Sequence, residues 1–330
     1  MILSANAAAI DQAAQALQAG QLVGLPTETV YGLAASATDD AAVALIFAAK
    51  GRPADHPLIV HVASVHQVPL FAAQVPGFAQ RLMQAFWPGP LTLILPRQAG
   101  VATASAGGQD SIGLRCPSHP VAQALLQACL ARGVTGLSAP SANRFGRVSP
   151  TTAMHVQSEL GADLLVLDGG DCAVGIESTI IDCTRGEPVL LRPGQITRAQ
   201  VEAACGRVVL DKDAPQDVMA QAAPRASGTL ASHYAPRARV RLMSASDIAH
   251  RLQALGPQAN NLGLWSVHRP DAGAGVVWRA QPQSAAQAAH ELFSTLRDLD
   301  ALGVTQIWVQ LPPDTPEWEG VRDRLQRAAA

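Results

Sequence analysis

Two spacings of apolar residues alternate along the first two hundred positions, and they predict different elements. Residues 39–50 begin with two Asp, repeat apolar positions every three or four residues and stop at Gly51, which predicts an amphipathic helix. Residues 7–19 carry the same spacing and predict a second, alanine-rich helix. The uninterrupted apolar runs at 22–25 and 58–62 instead predict short buried strands.

Later apolar runs and amphipathic stretches follow in an irregular order. Further strands are predicted at 91–95, 111–115, 164–168, 176–182 and 189–194, and further helices at 76–86, at 119–132 and after residues 149–152. Strict alternation of strands and helices would indicate a parallel sheet. The irregular order therefore predicts an α/β sheet without strict β-α alternation.

Residues 239–330 return to a compact α/β pattern. Strands are predicted near 239–243, 262–266, 275–279 and 305–310, and helices near 246–255, 284–302 and 316–329. The pattern predicts a smaller, Rossmann-like α/β domain, although the glycine fingerprint G-x-G-x-x-G is absent from the sequence.

A shift in composition separates the two parts of the chain. Residues from about 211 to 236 are rich in Ala, Pro, Gln and Ser, which is typical of a linker. Its second half carries Arg225, Ser227, His233 and Tyr234, polar groups that are suited to contacting a ligand. Because an extended linker can lie across a cleft, we expect this one to act as a lid.

Length and composition agree with a two-domain globular protein. We expect a first domain at 1–208, a linker and lid at 209–237, and a second domain at 238–330 of the 330 residues. Hydrophobic residues make up 48% of the chain and charged residues 15%, which excludes a disordered chain. The net charge of −2 argues against a surface that coats a polyanion, so any contact with nucleic acid would be local.

Cysteine usage and the N-terminus predict a cytoplasmic protein. The five cysteines form no C-x-x-C pair and are an odd number, so we expect reduced and mostly buried thiols. Asp11 interrupts the N-terminal apolar stretch, and no basic region precedes it, so no signal peptide is expected. No apolar run is long enough to predict a membrane span.

The first candidate for chemistry is the pair of cations at Lys50 and Arg52. A solvated charge pair at a helix C-terminus is the structural alternative, because cations suit that end of the helix dipole. The composition favours a functional role: of 24 Lys plus Arg, only Lys50 and Lys212 are lysines. A compact ammonium beside a planar guanidinium suits phosphate, where the first neutralises charge and the second fixes geometry.

Short polar side chains follow several predicted strands. Thr29 and Tyr31 come after the first strand, and Ser141 and Asn143 stand in a loop of small residues that lets backbone N–H groups approach an anion. Ligands of open α/β sheets bind at such strand ends. Turn and cap chemistry remains the alternative for these hydroxyls, a structural role remains open for His61, and an edge charge remains open for Arg115.

Several common catalytic motifs are missing from the sequence. No G-x-x-x-x-G-K-[ST], H-E-x-x-H or G-x-S-x-G occurs, which removes most of the weight of P-loop, zinc-enzyme and serine-hydrolase interpretations. A site that handled phosphates here would use scattered cations, Ser and Asn, with a Mg²⁺ held partly by the nucleotide itself. The ligands of that metal cannot be assigned from the sequence.

Taken together, the segments PTETVYGL, KGRP…PLIVHV, SAPSAN…SPTT, GIESTIID, LRPG and HYAP closely resemble the YrdC family of threonylcarbamoyl-AMP synthases in its longer form. The resemblance spans nearly the whole chain and implies a YrdC-like twisted mixed sheet with flanking helices, plus the extra C-terminal domain. It implies that L-threonine, bicarbonate or CO₂, and ATP with Mg²⁺ give threonylcarbamoyl-AMP and pyrophosphate. A downstream threonylcarbamoyl transferase complex would then modify tRNA next to the anticodon, so that tRNA is a partner only indirectly or weakly.

The resemblance also implies roles for residues that match the motifs of the family. The implied catalytic residues are Lys50 and Arg52. The residues implied for ATP are Lys50, Arg52, His56, Ser111, Ser141, Asn143, Ser149, Arg192 and Tyr234, and those for threonine are Thr29, Tyr31, His61, Arg115, Ala139 and Ser178. Two positions depart from the family pattern: His56 stands where Asn is usual, and Phe145 replaces the small polar residue common after the SAN triplet.

Two other functions compete with this interpretation. A non-catalytic RNA-binding module could use Lys50, Arg52 and Arg115, although the net charge of −2 and an aromatic content of 4% argue against it. A carbamoyltransferase that uses carbamoyl phosphate could share the fold, because a fold alone does not determine a function.

Overall fold

The structure is a computed structural model that describes residues 1–214, 224–228, 233–256, 259–269 and 275–330. Part of the predicted linker and lid, residues 215–223 and 229–232, lies outside the described residues. The chain divides into two compact units. The first unit contains residues 1–145, 150–173 and 177–229, and the second contains 146–149, 174–176 and 230–330.

Within the described residues, the first unit is built on a single mixed sheet of eleven strands. They are β1 (Ile2–Ser4), β2 (Val23–Leu25), β3 (Gly32–Ser36), β4 (Ile59–His61), β5 (Leu91–Pro96), β6 (Ser111–Arg115), β7 (Leu137–Ser138), β8 (Leu165–Asp168), β9 (Thr179–Asp182), β10 (Val189–Arg192) and β11 (Leu210–Asp211). Their order is β1-β8-β2-β3-β7-β4-β6-β5-β9-β10-β11. Parallel pairs such as β4–β6 and antiparallel pairs such as β5–β6 occur together, so the predicted mixed sheet is confirmed.

Seven helices accompany this sheet in the described part of the unit. They are α1 (Ala7–Gln18), α2 (Asp40–Lys50), α3 (Val68–Phe71), α4 (Gly77–Phe86), α5 (Pro120–Leu130), α6 (Ala153–Leu160) and α7 (Arg198–Cys205). Helix α2 has the predicted caps: the Asp39 carboxylate accepts from two backbone N–H groups, and Gly51 takes the left-handed conformation at φ +61°. The caps fix where α2 ends and therefore where Lys50 and Arg52 lie.

The core of the first unit consists of buried apolar side chains on both faces of the sheet. Phe71, Leu82, Leu93 and Leu114 belong to a cluster that packs α3 and α4 against the sheet. Helices α1 and α5 pack against each other over β2. The free-energy gain of such burial, about 25 cal/mol per Å² of apolar surface, holds the strand ends in place.

The second unit contains a parallel sheet of four strands among the residues described. Its strands are β12 (Arg239–Met243), β13 (Leu262–Ser266), β14 (Val276–Ala280) and β15 (Gln306–Gln310), in the order β12-β15-β13-β14. Its helices are α8 (Ala245–Leu255), α9 (Ala285–Ala301) and α10 (Glu319–Ala329). Every pair in the sheet is parallel, and the predicted C-terminal α/β domain is confirmed.

Some elements of the first unit were not predicted from the apolar pattern. Strand β3 consists of Gly, Leu, Ala and Ser, a composition without β-branched or aromatic residues, yet it is buried along its length. It forms because β2 and β7 pair with it on either side. Strands β1 and β11 and helix α7 are short elements that carry a weak periodic signal.

The remaining expectations of the sequence concern cysteines and membrane spans. All five cysteines are free and buried, as predicted: Cys116, Cys129, Cys172, Cys183 and Cys205. Among the described residues, no helix combines the length and the apolar character that crossing a bilayer requires.

Candidate active site

The candidate site begins at the C-terminal end of α2, where Lys50 is 3% exposed. Its Nζ donates to the backbone oxygens of Ser141 and Asn143, each at 2.5 Å. The backbone N–H of Phe145 in turn donates to the oxygen of Lys50 at 2.8 Å. The helix end and the loop of small residues are therefore joined through the lysine, which explains how the two predicted motifs come together.

The electrostatic setting of Lys50 is unfavourable for its own charge. Burial lowers the pKa of its ammonium group well below the ordinary value, and the nearby Arg52 guanidinium lowers that pKa further. These two buried cations, two positions apart in the chain, repel each other. An anion bound between them would relieve this repulsion, so the pair is arranged to favour a negatively charged ligand.

Arg52 is 8% exposed, and its side chain contacts residues from three separate segments of the first unit. Its Nη2 donates to the backbone oxygen of Pro57 at 2.9 Å and to Ser227 Oγ at 3.3 Å, and its guanidinium lies 5.8 Å from the Phe145 ring centroid. The Phe145 ring meets the His56 ring edge to face, with centroids 5.4 Å apart. The two positions that depart from the family pattern are therefore in contact with each other beside Arg52.

His56 carries little positive charge in this setting. Burial, and next the charge of Arg52, lower the pKa of its imidazole below the ordinary value. The neutral ring packs on Phe145 and does not add a third cation to the corner.

A second group of buried polar residues lies at the end of β6. Arg115 forms an ion pair with Glu28 at 2.6 Å and donates to Thr29 Oγ1 at 2.8 Å, and the side chains of the ion pair are 4% and 9% exposed. Burial is the largest single influence and raises the pKa of the Glu28 carboxyl, but the charge and hydrogen bond of Arg115, together with backbone hydrogen bonds, outweigh it and lower that pKa. The predicted residues Thr29 and Arg115 are thus in direct contact.

His61 lies beside this group because it is the register partner of Arg115 in the parallel β4–β6 pair. Burial, followed by the positive charge of Arg115, lowers the pKa of His61 to about 3. The ring is therefore neutral at physiological pH, and its Nδ1 has no hydrogen-bond partner among the described residues. It can accept or donate one hydrogen bond to a ligand without a change of charge.

Ser178 and Arg192 form a third buried group, between strands β9 and β10. Arg192 donates through Nε to the backbone oxygen of Ser178 at 3.0 Å and through Nη2 to Ser178 Oγ at 3.1 Å. Ser178 Oγ also lies 2.7 Å from Thr92 Oγ1. The resemblance implies a threonine contact for Ser178 and an ATP contact for Arg192, so the structure joins one residue of each set.

Residues 224–228 of the predicted linker lie against the loops of the first unit. Ser227 Oγ donates to the backbone oxygen of Pro57 at 2.6 Å, and the backbone oxygen of Ser227 accepts from Arg192 Nη1 at 2.9 Å. Arg225 pairs with Asp55 at 2.7 Å, and its backbone N–H donates to Gln109 Oε1 at 2.8 Å. This described part of the linker therefore contacts Arg52 and Arg192, for which the resemblance implies ATP contacts.

The remaining predicted residues have varied settings. Ser111 begins β6 and, with Ser227, lines a small cavity beneath residues 225–227. Ala139 is buried, and its N–H donates to Ile59. The Tyr31 hydroxyl is engaged twice, as a donor to Gly170 O at 2.8 Å and as an acceptor from Gly169 N–H at 3.1 Å.

Two predicted ATP residues, Ser149 and Tyr234, belong to the second unit. Ser149 is fully buried, and its backbone oxygen accepts from Arg297 at 3.3 Å. Tyr234 is 1% exposed and has a left-handed backbone with φ +64°; its ring centroid lies 5.3 Å from that of Phe293. The binding roles of Ser149 and Tyr234 stay predictions.

Two residues of this buried network were missed as site residues. Glu28 pairs with Arg115 from 87 positions away in the chain, and no local pattern indicates such a partner. Thr92 is the sole polar residue in the strand sequence LTLIL, which is a signal that could have identified it. A polar side chain in the middle of a buried strand needs a hydrogen-bond partner, and Ser178 supplies it.

The arrangement of possible metal-ligating side chains limits how the predicted Mg²⁺ could bind. In the described ranges, no group of three or more His, Cys, Asp or Glu side chains is placed to hold a metal ion. Magnesium often keeps several waters and binds through substrate phosphates with one or two carboxylates. The residues present therefore fit a Mg²⁺ that arrives with a nucleotide, and the ion stays a prediction.

Comparison with known proteins identifies the family of this chain. The family described as Sua5_yciO_yrdC, telomere recombination, matches residues 15–194, and the family described as threonylcarbamoyl-AMP synthase, C-terminal domain, matches residues 196–330. The threonylcarbamoyl-AMP synthase of Bacillus subtilis is 37% identical over 337 residues, with 99% of this chain and 94% of the relative covered. That of Pyrococcus abyssi is 36% identical, with 96% and 93% covered.

Solved structures agree with the sequence relatives. A double-alanine variant of P. abyssi Sua5 superposes with a TM-score of 0.89 at 33% identity, covering 100% of this chain and 96% of the other. P. abyssi Sua5 complexed with L-threonine gives a TM-score of 0.86 at 35% identity, with 97% and 94% covered. The fold is thus that of an α/β protein of two units, the first of which buries several cationic side chains. The chain belongs to the Sua5/YrdC family of threonylcarbamoyl-AMP synthases.

Proposed function

We propose that this enzyme is a nucleotidyltransferase that moves the AMP group of ATP onto the carbamate of L-threonine. Threonine and bicarbonate or CO₂ give N-carboxythreonine, and one carbamate oxygen attacks the α-phosphorus. The bond between the α-phosphorus and the bridging oxygen breaks, and pyrophosphate leaves with that bond's electron pair. The products are threonylcarbamoyl-AMP and pyrophosphate.

The single observation that carries this proposal is the buried pair of cations at the end of α2. Lys50 donates to the backbone oxygens of Ser141 and Asn143, which hold its ammonium group in place. Arg52 is two positions away in the chain, and both side chains are buried from solvent. Negative charge grows on pyrophosphate as it leaves. Fixed cations stabilise that developing charge without reorganisation at the moment of reaction, and such stabilisation is commonly the largest contribution to catalysis.

Threonine is proposed to bind at the group formed by Thr29, His61 and Arg115. A guanidinium suits a carboxylate because its donors form a planar fork, and Glu28 and Thr29 already hold this one in position. The neutral imidazole of His61 adds a hydrogen bond and no charge. The solved structure of the P. abyssi relative in complex with L-threonine supports threonine as the amino acid.

Mg²⁺ is proposed to arrive with ATP. When bound, such an ion neutralises phosphate charge and favours departure of pyrophosphate. Arg192 and Arg52 then orient the phosphate groups, and Ser227 holds both arginines through its backbone oxygen and its hydroxyl.

The linker is proposed to protect the intermediates. N-Carboxythreonine and its adenylate are labile in water, so a cover over the site would raise their yield. The contacts of Arg225 and Ser227 with the loops of the first unit support this role for the described part of the linker. The adenylate is then available to a downstream threonylcarbamoyl transferase complex, which acts on adenosine in tRNA.

One experiment tests the reaction as a whole. Pyrophosphate release from ATP is measured with threonine, bicarbonate and Mg²⁺ each omitted in turn. We expect release to need all three, with threonylcarbamoyl-AMP detected by mass spectrometry. A requirement for carbamoyl phosphate in place of threonine would instead identify a carbamoyltransferase. Salt-dependent RNA binding without ATP consumption would identify an RNA-binding module.

A further inference from the structure

A cleft of about 420 Å³ lies in the second unit, at the carboxyl ends of three parallel strands. Val267 and His268 directly follow β13, and Gln281, Pro282 and Gln283 directly follow β14. Gln310 is the last residue of β15, and Leu311, Pro312 and Pro313 follow it. Trp318 completes the described lining. The volume falls within the range of small-molecule sites, about 300–1,000 Å³.

The topology of the sheet explains why a cleft forms at this place. Strand β13 lies between β15 and β14, and the chain that leaves β13 goes to β14 on one side. The chain that leaves β15 goes instead to α10, which packs against β12 on the other side. The elements that follow these neighbouring strands thus lie on opposite sides of them, and the cleft lies where β13 and β15 end. Open α/β sheets bind their ligands at such topological switch points.

Two glutamine side chains give the cleft a defined polarity. Gln281, 5% exposed, donates from Nε2 to the backbone oxygen of Gln310 at 3.0 Å. Gln310 accepts from the backbone N–H of Val267 through Oε1 at 3.1 Å. Because a backbone oxygen can only accept and a backbone N–H can only donate, both amide orientations are determined.

The remaining halves of these amides are available to a ligand. Oε1 of Gln281 and Nε2 of Gln310 make no hydrogen bond to any residue that the structure describes. One is an acceptor and the other a donor. Their complement is a ligand edge that carries a donor and an acceptor, as the hydrogen-bonding edge of each nucleobase does.

The rest of the lining limits the charge and shape of the ligand. Among the described residues that line the cleft there is no Lys, Arg, Asp or Glu side chain, and His268 is the one titratable group. Those residues therefore offer no Lys or Arg to pair with a phosphate. Pro282, Pro312, Pro313 and Trp318 provide apolar walls. Flat heterocycles stack on such surfaces without a requirement for charge.

We propose that this cleft binds a neutral nucleobase through Gln281 and Gln310. The base comes either from a free nucleoside or from an unpaired nucleotide in RNA. This site is separate in chemistry from the cationic site of the first unit, and the proposal does not depend on the reaction assigned to that site.

The test measures binding of tritiated adenosine and uridine to the full chain by equilibrium dialysis, with a short single-stranded RNA as a competitor. Gln310→Glu keeps the acceptor for Val267 N–H and replaces the free donor by a carboxylate oxygen, so we expect at least about tenfold weaker binding. Gln306→Glu is the matched control on the same strand, since Gln306 Oε1 accepts from Trp308 Nε1 at 3.1 Å outside the cleft lining. It should bind as the unmodified chain does.

The outcomes separate the ligand sources and can overturn the proposal. Displacement of nucleoside by RNA at lower concentration than by unlabelled nucleoside would identify an RNA base as the ligand, and the reverse order a free nucleoside. If Gln310→Glu does not fold, Gln310→Met removes the donor without adding charge, and we expect the same loss. Absence of nucleoside binding, or equal binding by the Gln310 and Gln306 variants, would overturn the proposal. Pyrophosphate release by both variants should match the unmodified enzyme.

Discussion

The candidate sites of the two units differ in the kind of polar group that they present. The first unit buries the side chains of Lys50, Arg52, Arg115 and Arg192 and surrounds them with backbone oxygens and hydroxyls. The described lining of the cleft in the second unit consists of neutral amides, apolar side chains and one histidine, His268. Burying a charged side chain costs free energy. The buried cations of the first unit are therefore better explained by the binding of a charged ligand than by stability.

This difference in polar groups suits the two units to different tasks, catalysis in the first and ligand recognition in the second. Fixed cations lower a barrier only where negative charge develops, as in the departure of pyrophosphate. Neutral donors and acceptors instead discriminate between ligands by hydrogen-bond pattern. Variants of the charged site should therefore alter turnover or folding strongly, and variants at its periphery should have small effects.

The largest effect is expected at Lys50. Lys50→Ala removes one fixed donor from the leaving group, which typically costs about 3 kcal/mol of barrier, or roughly a hundredfold in rate. The measurement is pyrophosphate release at saturating ATP, threonine and bicarbonate. Lys212→Ala is the matched control, because Lys212 is the other lysine of the chain and its side chain is 53% exposed. Near-normal turnover by Lys50→Ala would remove the assigned role.

The next effect concerns stability and compares a buried ion pair with an exposed one. Glu28→Gln leaves the Arg115 charge without its counter-ion, which we expect to lower the free energy of unfolding by about 3 kcal/mol. Glu187→Gln breaks the pair with Arg207, whose side chains are 41% and 45% exposed, and should cost less than about 1 kcal/mol. Both values come from denaturant unfolding at neutral pH. Equal losses would show that burial does not set the strength of the Glu28–Arg115 pair.

Acid should reveal the same ion pair without a mutation. The pKa of Glu28 is lower in the folded state than its ordinary value of 4.5, so its contribution to stability is complete above pH 4.5. The contribution is lost as the pH falls below that value, towards the folded-state pKa. The difference in unfolding free energy between the unmodified chain and Glu28→Gln should therefore shrink in acid. A difference that is constant from pH 7 to pH 3 would contradict the assignment.

A smaller effect is expected in the linker. Ser227→Ala removes the hydroxyl that joins Pro57 and Arg52, a loss of about 1 kcal/mol that would weaken ATP binding about fivefold. Arg225→Ala breaks an exposed pair with Asp55 and should change ATP affinity less. Isothermal titration with ATP in the absence of threonine measures both. Unchanged affinity in Ser227→Ala would argue against a lid at this residue.

The smallest effect concerns His56 and Phe145. Edge-to-face aromatic pairs contribute about 0.5–1.5 kcal/mol beyond their buried area. We expect a double-mutant cycle of His56→Asn and Phe145→Ser to give a coupling free energy of about 0.5–1 kcal/mol in unfolding experiments. A coupling of zero would mean that the two departures from the family pattern are independent.

The sequence predicted those elements whose own pattern is strong. Helix α2 has a cap at each end, and the strands of the second unit are separate apolar runs, so local residues determine both. Strand β3 escaped prediction because its small residues form a strand only between β2 and β7. Such an element is determined by its neighbours in space, and a linear pattern does not contain them.

The candidate site likewise contains residues that the sequence could identify and pairings that it could not. Lys50 and Arg52 stood out because they are close together in the sequence and because lysine is rare in this chain. The pairing of Arg115 with Glu28, and that of Thr92 with Ser178, joins residues far apart in the sequence. The cleft of the second unit has no motif, since its described lining residues follow three strands that are separate in the sequence.

The most direct test of the central claim follows oxygen atoms through the reaction. The enzyme is supplied with ¹⁸O-labelled bicarbonate, threonine, ATP and Mg²⁺, and the products are analysed by ³¹P NMR and mass spectrometry. If a carbamate oxygen attacks the α-phosphorus, ¹⁸O is found bonded to the phosphorus of threonylcarbamoyl-AMP, and the pyrophosphate released carries none. Label in orthophosphate, or an adenylate whose phosphorus carries no ¹⁸O, would contradict the account.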